Sequence, residues 1–216
     1  GVCFLNNAVS FTAVLCSLFM IDKAAQEPPK SGDAFTQVRE GLAYAWETPA
    51  LRGLLAVLAV LSLTGMPVVV LMPIFAEEVL RSGPRGLGIL MACSGLGATA
   101  GSLFLARRPK SDGIEKIIVK MTVFFGLSLA LFSNSTIFWV SCLLLTLVGA
   151  GMIIQLASVN TLLQELPVEK YRGSMMGFYI MIFMGLAPFG SILAGWLAAR
   201  IGAPDAVAVG AGLCAV

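Results

Sequence analysis

Ile137-Phe-Trp-Val-Ser-Cys-Leu-Leu-Leu-Thr-Leu-Val-Gly-Ala-Gly-Met-Ile-Ile-Gln-Leu-Ala-Ser-Val-Asn-Thr-Leu-Leu163 runs without one charged side chain. A helix needs roughly 20 predominantly apolar residues to cross the hydrocarbon core, and this stretch exceeds that length. Inside hydrocarbon, backbone N–H and C=O groups must find partners within the segment, so the stretch reads as a membrane-spanning helix. Cutting the chain at its charges gives further runs from Val2 to Ile21, Leu54 to Ala76, Gly86 to Ala106, Ile117 to Phe132 and Ser174 to Ala199. A seventh begins at Ala206 and is cut off at Val216. The Ile117 run is short and contains Lys120, whose long side chain can snorkel to the interface from a helix end.

The composition agrees. Of 216 residues, 58% are hydrophobic and 12% charged, the mean hydropathy is +0.91, and there is no histidine. Soluble domains carry about a quarter charged residues, so an ordinary soluble enzyme or binding domain is excluded. A net charge of +2 offers too little excess to neutralise a phosphate backbone, so nucleic acid is not expected as a partner. Without histidine, imidazole bases, His metal ligands and His-containing triads are excluded, and no cofactor or metal is expected. Cys3, Cys16, Cys93, Cys142 and Cys214 lie singly in apolar runs without C-x-x-C spacing and read as small apolar fillers. The chain starts at Gly1 and stops inside an apolar stretch, so it reads as a piece of a longer protein.

Lys and Arg in alternate loops set the orientation, because positive charge stays on the cytoplasmic side. The segments after the first, third and fifth runs hold eleven of the 14 positive residues, from Lys23 to Arg172. The other side holds Arg81, Arg85 and Arg200. Loops 22–48, 107–116 and 165–173 are therefore expected in the cytoplasm of a multi-pass inner-membrane protein, with Gly1 outside. The first run is no signal peptide, since no basic segment precedes it and Asp22 and Lys23 follow it. In the loop after it, Pro28, Pro29 and Gly32 precede Phe35, Val38, Leu42 and Ala45, with Trp46 beside them. That spacing predicts a short amphipathic helix lying either on the inner membrane surface or packed on protein. Thr48-Pro49 marks the start of the next span.

Small residues stand four apart at Gly97 and Gly101, Gly173 and Gly177, and Ser191 and Gly195, a spacing that lets helix backbones approach closely in lipid. Pro67, Pro73 and Pro188 interrupt the second and sixth spans, where they are expected to kink or loosen the helix. No acid or base lies at mid-membrane; Glu77, Glu78 and Glu165 mark span ends, so any ion-coupling group lies at those edges or outside this piece. Uncharged polar residues concentrate at Gln155, Ser158, Asn160, Thr161 and Gln164. Gln155 and Ser158 share one helical face and Asn160 and Gln164 another, about 140° away, so one pair is expected at a cavity and the other against a neighbouring helix. Asn6, Asn7 and Ser10 read as helix contacts, whereas Thr64, beside Gly65-Met66-Pro67, suits either purpose.

Leu166-Pro-Val-Glu169-Lys-Tyr-Arg172-Gly173-Ser-Met-Met-Gly177 resembles the loop between helices 10 and 11 of the major facilitator superfamily. Gly195-Trp-Leu-Ala-Ala-Arg200-Ile-Gly202 resembles the signature closing helix 11, with Ala199 in place of its acid. With Gln155-Leu-Ala-Ser-Val-Asn160-Thr-Leu-Leu-Gln164 and Cys3-Phe-Leu-Asn-Asn-Ala-Val-Ser-Phe11, the chain is similar to the enterobactin-exporter and macrolide-efflux branch over essentially its whole length. After the third run the family's acid-containing signature is reduced to Gly101 followed by Arg107-Arg108-Pro109.

The resemblance implies an all-α polytopic fold. Residues 1–21 would be helix 6, 22–48 the central cytoplasmic loop, and 49–216 the C-terminal bundle of helices 7 to 11 with part of 12. It implies a secondary active antiporter that exports an amphipathic drug- or siderophore-like molecule by alternating access, with helices 7 and 10 lining the cavity. Thr64, Met66, Gln155, Ser158, Asn160 and Phe183 are the expected cavity residues, and Arg107, Arg108, Glu169, Arg172 and Gly173 the expected gating and loop residues. The expected partners are a small-molecule substrate, the bilayer and an N-terminal half of the same chain. A second reading is a membrane module fused to a lipid-modifying acyltransferase.

Overall fold

The computed structural model describes residues 7, 10–12, 14–17, 34–108 and 113–214. The readings placed on Cys3, Asn6, Lys23, Pro28, Pro29, Lys30, Gly32 and Pro109 lie outside these residues. Two compact units divide the chain, residues 1–37 and 38–216. In the first, Asn7, Ser10 to Thr12 and Val14 to Ser17 are helical.

The rest is helical and all but continuous. Helix α1 covers Ala34–Glu47, α2 Pro49–Ile74, α3 Gly83–Ala106, α4 Ile114–Ser133, α5 Phe138–Glu165, α6 Glu169–Ile201 and α7 Ala203–Leu213. Among the described residues five helices, α2 to α6, are long and apolar enough to cross a membrane. At 1.5 Å per residue the 33 residues of α6 reach about 50 Å, well beyond a hydrocarbon core of about 30 Å. The charge-free runs therefore understate the helices, which continue past the core into the headgroup region. Lys120 is exposed in the second turn of α4, as snorkelling requires.

Element ends follow local chemistry. Thr48 is extended ahead of Pro49 in the first turn of α2, so the helix starts where the sequence predicts, although the Thr48 side chain caps no N–H. Gly202 has φ of +92°, which a residue with a Cβ rarely adopts, and with Pro204 it turns the chain from α6 into α7.

Pro67 and Pro188 do not end their spans. Helix α2 runs through Pro67 to Ile74, and α6 runs through Pro188. The irregular stretch is instead the wide turn at Phe75–Val79, directly after Pro73. Pro67 has no N–H for the carbonyl four residues earlier, Leu63, and α6 approaches α2 closely there: a Cβ on Gly190 would stand 2.9 Å from Leu63 O. Ser62 Oγ, one residue earlier, donates to Phe183 O at 2.7 Å and fastens the same pair of helices.

Helix α3 lies flat on α5. A Cβ on Gly97 would come within 1.8 Å of Thr146 O, one on Gly101 within 2.9 Å of Ala150 O, and one on Gly149 within 2.1 Å of Ser94 O. Gly97 and Gly101 thus make the close approach their spacing predicts, with Gly149 answering from the other helix. Gly173, Gly177 and Gly195 instead face open space, and Ser191 turns its hydroxyl back to Ala187 O at 2.9 Å.

Two apolar clusters fill the bundle. Near the α2–α3 turn, Phe75 and Phe132 meet at 4.8 Å among Leu71, Leu90, Leu129 and Val207. Toward α1, Leu58, Val159, Leu163, Met175 and Phe178 pack with Ala45. The loops holding Arg107, Arg108, Lys116 and Lys170 gather at this second end. Gly113 and Lys116 line one hollow with Glu165 and Leu166, and Lys170 meets α1.

Candidate substrate-facing site

The polar cluster of α5 splits as its helical spacing requires. Gln155 and Ser158 turn inward and are 2% and 0% exposed. Gln155 Nε2 donates to Thr122 Oγ1 of α4 at 2.8 Å, and Thr122 donates in turn to Ile118 O at 2.8 Å. Gln155 Oε1 and Ser158 Oγ are buried without a partner. Of the two expected settings, the structure puts Gln155 against a neighbouring helix.

Asn160 and Gln164 hydrogen-bond to each other on the opposite, more open face. The Tyr179 side chain of α6 lies near that of Asn160, and Tyr179 stacks on Phe183 with ring centroids 6.3 Å apart. Asn160, Tyr179 and Phe183 are all partly exposed, so they form a polar and aromatic strip where α5 meets α6. Sequence reasoning missed Tyr179 and Thr122. Tyr179 carried a readable signal, an aromatic ring with a polar tip one helical turn before Phe183.

Thr64 is 3% exposed. Its hydroxyl donates to Val60 O at 2.8 Å and lies 3.3 Å from Cys214 Sγ, which places it between α2 and α7. A cavity of about 50 Å³ beside it is lined also by Pro67, Gly190 and Gly210. Met66 is partly buried one turn after Ser62. The structure thus brings Asn160 and Phe183 together and sets Thr64 apart from them.

At the end bearing the basic loops, Arg107, Arg108, Glu169, Arg172 and Gly173 are all exposed. The Arg108 guanidinium lies 5.3 Å from the Phe104 ring. The residues that bind the loop to α1 are their neighbours Val168, Lys170 and Tyr171. Lys170 Nζ donates to Glu40 Oε2 at 2.9 Å, Tyr171 stacks on Tyr44 at 4.5 Å, and Val168 N donates to the Tyr44 hydroxyl at 3.4 Å. A Cβ on Gly41 would stand 2.8 Å from Ser174 Cβ, so α1 sits directly on the first turns of α6. Gly41 and Ala45 are buried there, while Val38, Leu42 and Trp46 on the other face are 52%, 51% and 68% exposed. Helix α1 packs on protein with one face, which takes Ala45 out of the predicted apolar stripe, and leaves Val38, Leu42 and Trp46 exposed.

No group of three or more Cys, Asp or Glu that would hold a metal occurs among the described residues. A family model described as transmembrane secretion effector matches residues 1–216. No curated protein and no solved structure matches. An all-α bundle with several membrane-length helices is what such a transporter requires. The chain belongs to the transmembrane secretion effector family of the major facilitator superfamily and is a multi-pass membrane transporter.

Proposed function

We propose that the chain is the C-terminal part of a secondary active exporter that moves an amphipathic small molecule by alternating access. The observation that carries this reading is the strip of Asn160, Tyr179 and Phe183, where hydrogen-bonding tips stand beside an aromatic wall on a partly open face. Few polar groups among apolar ones is the usual make-up of a small-molecule site. Asn160 and Tyr179 hydrogen-bond the cargo, and Phe183 and Met66 supply its apolar contacts. Gln155, Ser158 and Thr64 lie a layer deeper and shape the helix pairs behind the strip.

In this reading the spans are helices 6 to 11 and part of 12, and a first half of the transporter covers the open side of α6. Gly173, Gly177 and Gly195 support this, because each leaves room on α6 for another helix to approach. The basic end faces the cytoplasm, and export runs in exchange for an ion bound outside the described residues, since no charged side chain lies at mid-membrane here.

The test is transport by the whole protein in sealed vesicles carrying an ion gradient. Gradient-dependent movement of at least one compound from a panel of hydrophobic drugs and siderophores is expected, and no movement of any of them refutes the exporter reading. Within an active preparation, Asn160→Ala raises the KM for the transported compound by about tenfold, the scale of one lost hydrogen bond to cargo.

A further inference from the structure

We propose that Cys93 of α3 and Cys142 of α5 are a dithiol that a lipid-soluble quinone oxidises to a disulfide, fastening the two helices together. In sequence they stand 49 residues apart, each alone in an apolar run, which hides the pairing. In the fold both are free thiols and their side chains lie near one another, Cys142 in the core and Cys93 packed against that core. Cys214 sits instead beside Thr64, its sulfur 3.3 Å from the hydroxyl oxygen.

The helix contact suits a disulfide. Helices α3 and α5 meet in steps of four residues: a Cβ on Gly97 would come within 1.8 Å of Thr146 O, and one on Gly101 within 2.9 Å of Ala150 O. Cys93 and Cys142 are the preceding step of the same series, one turn before Gly97 and one turn before Thr146. A disulfide needs Cα atoms about 4.4–6.8 Å apart, a separation that helices reach where small residues let their backbones approach closely.

The surroundings select the oxidant. Cys93 is partly buried, with Ile89, Met91 and Leu96 exposed on the same helix, whereas Cys142 is 5% exposed. No charged side chain lies in α3 after Arg85 or in α5 before Glu165. An uncharged oxidant dissolved in the bilayer therefore reaches Cys93, where a hydrated ion would have to shed its water. The Cys93 sulfur bonds a quinone ring carbon, and its proton passes to the quinone. The Cys142 sulfur then attacks that of Cys93, giving up its own proton, and hydroquinone leaves with two protons and two electrons. One S–S bond has replaced two S–H bonds. The pair needs only the contact between α3 and α5 and is independent of what is exported.

The experiment treats the whole transporter in liposomes with a decyl-substituted benzoquinone, digests it without reductant and reads disulfide-linked peptides by mass spectrometry. A peptide pair joining Cys93 to Cys142, lighter by two hydrogens than its reduced parts and separated by dithiothreitol, is expected, with one hydroquinone formed per pair. Closing a loop of about 50 residues should also raise the unfolding temperature of the oxidised protein by several degrees, and Cys93→Ala abolishes both effects. In a second variant, Cys93→Ala with Leu96→Cys, the thiol stands at an exposed position of the same helix. The yield of linked peptide then falls about tenfold or more, because the geometry for a bridge is lost. No link between Cys93 and Cys142, or an equal yield from the displaced thiol, overturns the assignment. Neither readout involves transport, so their failure leaves the exporter standing.

Discussion

At the residue scale the two orphaned oxygens, Gln155 Oε1 and Ser158 Oγ, stand out. A hydroxyl buried without a partner costs desolvation and returns no hydrogen bond. Ser158→Ala is therefore expected to leave stability unchanged or to raise it by about 1 kcal/mol, measured as thermal unfolding in detergent. It is also expected to leave transport intact, in contrast to Asn160→Ala; a transport loss as large as that of Asn160→Ala would move Ser158 into the cargo site. The helical spacing of Gln155, Ser158, Asn160 and Gln164 marks two polar faces on this helix. It did not say which face points into the bundle. In lipid the surroundings of a helix are as apolar as its packed side, so no hydrophobic stripe marks the inside.

At the element scale the same limit separates the three small-residue pairs. Gly97 and Gly101 meet α5 backbone, while Gly173, Gly177 and Gly195 meet nothing in this chain. Gly97→Ala and Gly149→Ala would each drive a methyl into a backbone carbonyl, and both are expected to destabilise by roughly 3 kcal/mol or more. Gly177→Ala, with open space around it, is expected to leave the unfolding temperature of this chain unchanged. Helix α1 is held to α6 chiefly by the Tyr44–Tyr171 stack and the Gly41 contact, since the exposed Lys170–Glu40 pair adds little. Tyr44→Ala should thus speed amide hydrogen exchange across residues 38–47 by far more than Lys170→Ala does. Equal effects would assign the attachment to charge.

At the scale of the whole molecule, charge sorting and helix packing agree about the two ends. Arg107, Arg108, Lys116, Lys170 and α1 lie at one end, and the α2–α3 turn with Arg81 lies at the other. With the native cysteines replaced, Arg81→Cys is expected to react with an impermeant thiol reagent in intact cells, and Lys116→Cys only once the membrane is opened. Labelling of both from one side would overturn the topology, and labelling of Lys116→Cys from outside would invert it.

What the sequence determined by itself was the number and order of the apolar runs, the grouping of basic loops, and the polar content of each helix. These are properties of run length and composition, imposed by the need to satisfy backbone groups without water, and they survive any choice of packing. Only the tertiary structure decided which glycines become contacts, that α2 runs through Pro67 with its freed Leu63 carbonyl facing Gly190, and that Asn160 rather than Gln155 shares an open face with Phe183. Those choices depend on which helices stand next to one another, and helices that are apolar all round do not record their neighbours.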